Sequence, residues 1–266
     1  SQALNSGNTN AAKVSPKLSV ILGPWQKTEF FINMGQGFHS NDARGTTAKV
    51  DPKTGQPIDA VPGLVSSRGQ EFGLKSQIIP DLQTTLAVWR LDFDSEMVYV
   101  GDAGNTQAGR PSRRTGVEWS NHWTPGERFV MDANLAWTRP RYSDSDPAGS
   151  FIVNAVQKVA HLTFALRHLG PWSGSFGVRY IGAAPLREDN TIRSSASVTS
   201  NLRISRKMFH DMDISVDILN LADRKNNDIS YYYTSRVMNE PAVGVDGVHI
   251  HPAEPRTIRA SARWRF

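Results

Sequence analysis

The chain alternates between hydrophobic and polar residues with a period of two along much of its length. The final segment has an apolar set and a polar, largely cationic set: Ile258, Ala260, Ala262, Trp264 and Phe266 against Thr257, Arg259, Ser261, Arg263 and Arg265. Such a period is typical of a β-strand that presents one apolar and one polar face. Helical spacing of apolar residues is not sustained in any segment. The pattern therefore predicts an all-β protein.

Turn residues divide this alternation into eleven predicted strands. Gly, Pro and Asp mark short connections, as at 23–24, 80–81 and 170–174. Long polar connections take turns with the short ones and cover 38–66, 94–111, 140–155, 184–194 and 220–255. The strands are predicted at 15–22, 28–37, 68–78, 83–93, 112–123, 128–139, 156–168, 173–183, 195–206, 211–219 and 256–266.

The regular exchange of short and long connections favours an antiparallel transmembrane β-barrel over a soluble sandwich. Barrels of the outer membrane have short periplasmic turns and longer extracellular loops. Trp25, Trp123 and Trp172 lie beside predicted short turns, as an interfacial aromatic girdle requires. The polar face is expected to line the lumen, with charged residues at Arg90, Asp92, Asp213, Asp217, Arg259 and Arg263.

The odd number of strands indicates that the sequence is the C-terminal part of a larger barrel. Bacterial single-chain barrels have even strand numbers, and an open sheet exposes unpaired edges that lipid does not tolerate. About ten further strands before residue 1 would give the roughly 22 strands of a plugged outer-membrane transporter. We expect residues 1–14 to be the remnant of an extracellular loop and residues 15–266 to be barrel, with a plug domain and the first half of the barrel absent.

Composition narrows the functional classes without deciding between them. The chain of 266 residues has a formal charge of +5, 39% hydrophobic residues and no cysteine. The absence of cysteine excludes disulfides, thiolate metal sites and a cysteine nucleophile within this sequence. Lys and Arg are spread through alternating strands, so the basic balance does not indicate nucleic-acid binding. No cofactor and no metal site are expected.

Several segments, taken in order, resemble the barrel of TonB-dependent outer-membrane receptors. They are 15–18 (SPKL), 33–45 (NMGQGFHSNDARG), 68–74 (RGQEFGL), 112–118 (SRRTGVE), 220–225 (NLADRK) and 254–259 (EPRTIR). The resemblance implies energised uptake of a scarce ligand, such as a siderophore or another metal complex, across the outer membrane of a Gram-negative bacterium. It also implies contact with outer-membrane lipid and lipopolysaccharide, and with the TonB complex through the missing N-terminal part. The terminal aromatics Trp264 and Phe266 match the signal attributed to recognition by the barrel-assembly machinery.

Candidate ligand contacts lie in two of the long connections. His39, Asn41, Asp42 and Arg44 could contact a metal chelate or an anionic group, although loop structure explains the same residues. In the final connection, His249 and His251 share one face if extended. The neighbouring tyrosines at 231–233, including Tyr231 and Tyr232, could stack on an aromatic ligand or lie at the membrane interface.

Two other functional classes remain open at this point. A complete smaller barrel would act as a passive pore or an adhesin, and a soluble all-β protein would have a binding role. An enzyme is not expected: His39, Ser40 and Asn41 have the residue types of a hydrolase, but adjacent residues on a strand point to opposite faces and cannot converge as a triad.

Overall fold

The computed structural model describes residues 2–41, 43–51, 54–95, 97–100, 105–209 and 212–264. This part of the chain contains β-strands and two single-turn helices, α1 (Gln2–Asn5) and α2 (Ala43–Thr46). The strands are β1 Lys17–Trp25, β2 Thr28–Ser40, β3 Leu64–Ser76, β4 Leu82–Phe93, β5 Met97–Val100, β6 Asn105–Ala108, β7 Ser112–Trp123, β8 Phe129–Tyr142, β9 Lys158–Leu169, β10 Trp172–Ile181, β11 Ser197–Phe209, β12 Met212–Leu219, β13 Asn227–Ser235, β14 Val245–Pro252 and β15 Thr257–Trp264. No helix in the described ranges is long and apolar enough to cross a membrane.

Eleven strands form one antiparallel sheet in the order β1-β2-β3-β4-β7-β8-β9-β10-β11-β12-β15. The predicted eleven-strand antiparallel arrangement is confirmed, because each strand pairs with the next strand predicted from the sequence. Short turns close the hairpins at 26–27, 77–81, 124–128 and 170–171. Within the described part of this eleven-stranded sheet, β1 and β15 are the two edges, and each pairs with one neighbour.

The structure differs from the prediction in the long connections. β2 continues to Ser40 and β3 begins at Leu64, so both strands extend past their predicted ends. Residues 94–111 contain the hairpin β5–β6, and residues 220–255 contain the hairpin β13–β14. The sequence shows no period of two there, because β5 (MVYV) is apolar throughout and β14 is interrupted by Asp246 and Gly247. α1 lies beside the first long connection, where the Asn5 side chain donates a hydrogen bond to the Val50 carbonyl at 2.7 Å.

The strand register separates the sheet into two faces with different chemistry. Directly opposed residues in antiparallel strands project to the same side, so the pairs can be followed from strand to strand. One such row joins Trp119, Leu135, Ala160 and Tyr180. The apolar face also includes Leu86, Val88, Leu162, Phe164, Val178, Ile214, Val216 and Ile218.

The opposite face is polar along most strands. A row on this face joins His122, Asp132 and Thr163. Other residues of the polar face include Glu71, Glu118, Ser120, Asn134, Arg179, Arg203, Asp217 and Arg259. In a transmembrane barrel the apolar band faces lipid and the polar face lines the lumen. We therefore call these the outer and inner faces.

Tryptophans lie where the short turns meet the outer face. Trp123 and Trp172 flank two of these turns, and Trp264 pairs with Met212, the first residue of β12. Trp25 also ends a strand at a short turn and is 59% exposed. The predicted rim aromatics Trp25, Trp123 and Trp172 are therefore in place, while Phe266 lies outside the described residues.

Four buried apolar side chains lie together at the other end of the sheet, between long connections. Tyr142, Ile152, Ala184 and Leu186 are all at most 7% exposed. They join the segment 143–157, which follows β8, to the segment 182–196, which follows β10. Backbone hydrogen bonds from Asn154 to Pro185 and from Phe151 to Glu188 reinforce the contact. This packing holds the two segments against each other at the long-loop end of the sheet.

Candidate functional site

His39 lies on the inner face near the long-loop end of β2. It pairs with buried Val65, and its imidazole centroid is 6.3 Å from that of Phe93. The Arg114 guanidinium lies over the Phe93 ring, with its Cζ atom 5.6 Å from the ring centroid. His39 Nε2 is buried without a hydrogen-bond partner in the described structure. A buried polar atom of this kind calls for a partner such as water or ligand.

Trp89 lies deeper on the same inner wall. Its indole packs over Gly116, where an added Cβ would be 2.6 Å from the ring. Glycine is therefore required on β7 for this close approach. Trp89 Nε1 is buried and also has no hydrogen-bond partner among the described residues. The wall formed by His39, Phe93, Arg114 and Trp89 thus combines aromatic rings with two buried nitrogens, His39 Nε2 and Trp89 Nε1, that have no hydrogen-bond partner among the described residues.

The other predicted residues of the first connection are placed differently. Asn41 is 8% exposed, and its Nδ2 donates to the Pro62 carbonyl at 2.7 Å. Its backbone N–H donates to the Gly63 carbonyl, so Asn41 fastens the base of the loop. Asp42 lies outside the described residues. Arg44 lies in α2, and its side chain is likewise outside the description.

The hairpin β13–β14 divides the predicted tyrosines between its two faces. Tyr231 pairs with His249, and Tyr233 lies on the same face. The Tyr233 and His249 rings are stacked, with centroids 3.9 Å apart and planes inclined by 18°. His251 continues this face, 4.0 Å from the Asp228 carboxylate. Tyr232 projects to the other face, where the Arg187 guanidinium lies 5.8 Å from its ring.

Arg110 joins three long connections, although the sequence analysis did not select it. Its Nε and Nη2 donate to the Asp144 carboxylate, with the Nε to Oδ2 distance at 2.8 Å. Its Nη1 donates to Glu188 Oε2 at 2.6 Å, and its Nη2 to the Gly149 carbonyl at 2.9 Å. The guanidinium also lies 4.2 Å from the Tyr142 ring centroid.

These contacts have a clear electrostatic effect on the loop residues. The hydrogen bond to Asp144 raises the pKa of Arg110, and the same contact holds the pKa of Asp144 below its ordinary value. At 189, hydrogen bonds from the backbone amide and hydroxyl of Thr191 lower the pKa of the Asp189 carboxyl. Both carboxylates are thus stabilised in their charged form within the loop structure.

Lysine, arginine and aspartate alternate across the inner face near the short turns. Asp217 pairs with Arg203 on one side and Arg259 on the other, and Asp213 pairs with Lys207 and Arg263. The Arg203 Nη1 to Asp217 Oδ1 distance is 3.4 Å. Aspartates and basic residues therefore oppose one another across neighbouring strands of the inner face. A groove of about 580 Å³ runs over this wall, and cations outnumber carboxylates in it.

Arg90 and Asp92 are not lumen residues, contrary to the sequence expectation. The register pairs Arg90 with Thr115 and Asp92 with Arg113, on the same side as Val88 and Val117. Asp92 accepts hydrogen bonds from Arg90 and Arg113 at 2.6 and 2.7 Å. On this strand the apolar residues Trp89 and Leu91 lie on the inner face, paired with Gly116 and Arg114. Near the long-loop end of β4, the charged residues Arg90 and Asp92 thus lie on the outer face beyond the apolar band, and aromatic residues such as Trp89 lie on the inner face.

Arg110, Glu188 and Trp89 were missed because their roles depend on contacts between distant segments. Arg110 and Glu188 are 78 residues apart, and no local pattern links them. The Trp89 position could have been suspected from glycine at the facing strand position 116. Among the residues that the structure describes, no group of three or more His, Asp or Glu side chains is arranged to hold a metal ion.

Comparisons with known proteins agree with this architecture. A family model for "TonB dependent receptor-like, beta-barrel" matches residues 1–221. No curated protein matches the chain. Similar solved structures include the ferric-catecholate import receptor Fiu of E. coli K12 in its closed form, with TM-score 0.71, 18% identity, and coverage of 94% of this chain and 34% of that one.

Two further solved structures have comparable similarity. The ferric yersiniabactin uptake receptor FyuA of Yersinia pestis has TM-score 0.71 and 18% identity, with 94% of this chain and 37% of that chain covered. The copper transporter OprC has TM-score 0.70 and 15% identity, with coverage of 95% and 39%. At these identities the comparison concerns the fold. The chain spans between a third and two fifths of the length of these proteins.

Proposed function

The chain belongs to the TonB-dependent receptor-like β-barrel family, and we propose that it is the C-terminal part of an outer-membrane receptor that imports a scarce metal complex. The single observation that carries the proposal is the two-faced sheet, with an apolar outer band and a polar inner wall that ends in structured loops. Such a sheet suits a barrel in lipid, whose lumen admits polar cargo.

Closure of this barrel requires strands beyond those described. Both edges, β1 and β15, have unpaired backbone groups on one side within the described sheet. Each unsatisfied group costs several kcal/mol in lipid, so we infer that further strands of the same receptor complete a barrel of roughly 22 strands. A plug domain with the TonB-contacting segment would lie in the N-terminal part, and energy from TonB would drive uptake through it.

The inner wall at the mouth is our first candidate for ligand contact. His39 and Trp89 present buried nitrogens without partners among the described residues, beside Phe93 and Arg114. Imidazole and guanidinium groups bind the carboxylate or phenolate oxygens of a metal chelate, and the rings offer stacking surface. Asn41 has a structural role in this scheme, while Asp42 and Arg44 keep their sequence-based assignment as loop contacts.

The hairpin β13–β14 is our second candidate. Tyr231, Tyr233, His249 and His251 form one exposed face, with Tyr231 50% and Tyr233 47% exposed. Rings of this kind bind planar aromatic groups by stacking. Tyr232 lies on the other side of the hairpin and serves as the internal control. We assign no catalytic activity to the chain.

Uptake by the intact receptor tests the proposal. A strain lacking its own receptors would be supplied with the full-length protein and with ⁵⁵Fe-loaded catecholate or phenolate siderophores, or ⁶⁴Cu, as probes. We expect uptake of at least one probe that disappears when TonB is deleted. Uptake that persists without TonB would instead indicate a passive pore, and a protein that urea extracts from membranes would not be a barrel.

The residue-level test uses neighbours that face opposite sides of one strand. His39→Ala is expected to weaken binding of the imported probe about tenfold, since a charge-assisted or metal-chelate contact is worth ~1.5 kcal/mol or more. Ser40→Ala, on the outer face of β2, is expected to leave binding unchanged. Equal affinities for the two variants would remove His39 as a ligand contact.

A further inference from the structure

A cavity of about 340 Å³ opens on the inner face at the long-loop end, beside the hairpin β13–β14. Arg179, Ile181 and Ser197 form part of its wall, on the paired strands β10 and β11. The segment 226–231, at the start of the hairpin, closes the opposite side. We call this space the hairpin cavity. The described residues that line it do not include those of the wall around His39 and Trp89.

Asn226 fixes the hairpin against the wall of the hairpin cavity. Its Nδ2 donates a hydrogen bond to the Val198 carbonyl at 2.9 Å, and its Oδ1 accepts one from the Val198 N–H at 3.4 Å. The Asn226 carbonyl accepts a further hydrogen bond from the Ala253 N–H at 2.9 Å. The two sides of the cavity are therefore held together by the chain's own hydrogen bonds, as a preorganised binding site requires.

Hydroxyl and amide groups are common in the lining of this cavity. They belong to Asn154, Ser195, Ser197, Thr199, Asn227 and Ser230. Of the described residues that line the cavity, two are charged, Arg179 and Asp228, and their formal charges cancel. Ile181 and Ala184 add apolar surface. The cavity is thus polar but carries no net formal charge.

Several of these polar groups have unused hydrogen-bonding capacity. Ser230 is 6% exposed, and its hydroxyl has no hydrogen bond to any residue that the structure describes. The Ser197 hydroxyl and the Asn227 side-chain amide also have no partner in the described ranges. Ser194 Oγ accepts a hydrogen bond from the Ala184 N–H at 2.9 Å, which leaves its own proton free to donate. A buried hydroxyl without a protein partner calls for one from water or from a ligand.

These groups suit a neutral, polyhydroxylated ligand better than an anion. Hydroxyl and amide side chains both donate and accept, as do the neighbouring hydroxyls of a sugar ring, and the apolar residues suit the C–H surface of that ring. An anion would meet a single arginine, whose charge is offset by Asp228. The cavity volume corresponds to roughly eleven water molecules at ~30 Å³ each, which is about the size of one or two hexose rings.

We propose that the hairpin cavity is a binding site for a neutral sugar unit. The Ser197 hydroxyl from the wall and the Ser230 hydroxyl from the hairpin contact the ring hydroxyls, and Asn227 and Asp228 bind a neighbouring pair. The sugar belongs either to the imported ligand or to a free extracellular saccharide. This inference deepens the proposed function, on which it rests for the extracellular position of the long-loop end, by naming a glycosyl group.

Saturation-transfer NMR on the intact receptor tests the site. The probes are the methyl glycosides of glucose, galactose and N-acetylglucosamine, and the detergent must lack a sugar headgroup, since such a headgroup would compete. We expect saturation transfer to at least one glycoside. The double variant Ser197→Ala/Ser230→Ala should bind that glycoside roughly tenfold more weakly, because two hydroxyl contacts are lost. A heat-modifiability gel verifies that each variant is folded.

Ser200→Ala is the matched control, because Ser200 lies on the outer face of the same strand, paired with Val178. It should bind the glycoside as the wild type does. No saturation transfer to any of the three glycosides would overturn the proposal, and so would equal binding by the wild type and the double variant, or an equal loss in Ser200→Ala.

The source of the sugar follows from uptake in the presence of the bound glycoside. Inhibition of metal-complex uptake by the glycoside marks the sugar as part of the imported ligand, and unchanged uptake marks it as a free saccharide; both results support the site. Glycoside binding in detergent does not depend on TonB. Failure of TonB-dependent uptake would therefore contradict the proposed function without deciding the outcome of the NMR test.

Discussion

Gly149 lies at the contact between two long connections, 143–157 and 182–196, and its substitution tests how closely these segments pack. Gly149 has φ +121°, and a Cβ added there would lie 2.1 Å from the Glu188 carbonyl oxygen. Real contacts of this kind are at least 3.0 Å, so the segments must separate by roughly 1 Å in a close-packed region. That movement breaks the hydrogen bond from Phe151 N to Glu188 O, which is 3.0 Å long.

The free-energy cost of Gly149→Ala follows from these two effects. Backbone strain at a glycine-only φ costs ~1–3 kcal/mol, and one lost backbone hydrogen bond adds ~1 kcal/mol. A local destabilisation of about 2–4 kcal/mol raises the population of the locally open state, and with it the rate of amide exchange, roughly 30- to 1,000-fold. We expect that acceleration at the Phe151 amide and in peptides that cover 182–196.

Hydrogen exchange measured by mass spectrometry on the intact receptor would detect this change. Gly126→Ala is the control, because Gly126 also has positive φ (+76°) but no atom lies within 4 Å of the added Cβ. Its effect should stay in the β7–β8 turn. Unchanged exchange around Phe151 in Gly149→Ala, or the same acceleration in Gly126→Ala, would refute the loop packing described above.

Three other predictions concern the same structural features. Arg110→Gln should raise protease cleavage within 143–157 at neutral pH, because the contact that protects this segment is lost. In the wild type the pKa of Asp144 is lowered by its hydrogen bond to Arg110. The protection from protease that this contact gives should therefore be complete above about pH 4 and be lost only as the pH falls through that lowered pKa. Leu186→Ala removes a side chain that is 3% exposed and should destabilise the paired loops by about 2–4 kcal/mol, seen as faster exchange there, while Leu169→Ala, 45% exposed, should not affect them. Gly116→Val should displace Trp89, whose ring lies 2.6 Å from the added Cβ, and lower the folded yield in a heat-modifiability gel; an unchanged yield and unchanged tryptophan fluorescence would contradict this packing.

The sheet could be predicted from the sequence because its strands are long and each face has its own chemistry. Along β12 and β15, aspartate and arginine alternate with mostly aliphatic residues, and the pairing of the two strands places Asp217 opposite Arg259. β4 departs from this rule at the long-loop end, where the aromatic Trp89 lies on the inner face and the charged Arg90 on the outer face. Periodicity reports which residues share a side, but it does not report where the lipid band ends.

The contacts of the site were less accessible to sequence reasoning. The sequence predicts that His39 lies in a long connection. In the structure, β2 continues through His39, and the side chain lies on the inner face. The role of Arg110 depends on Asp144 and Glu188, which lie in other connections. Such contacts arise from the three-dimensional arrangement of the loops, and no spacing along the chain encodes them.

The central claim is that alternate residues of these strands face lipid and a polar lumen. The chain has no cysteine, so a single cysteine introduced along β8 gives one labelled thiol in this part of the intact receptor, and any cysteine in the rest of the receptor would be replaced by serine. We expect oxygen to relax labels at 133, 135 and 137 most strongly, and a water-soluble nickel chelate to relax those at 132, 134 and 136 most strongly. Equal access of the nickel chelate to both sets, or a period other than two, would contradict the account.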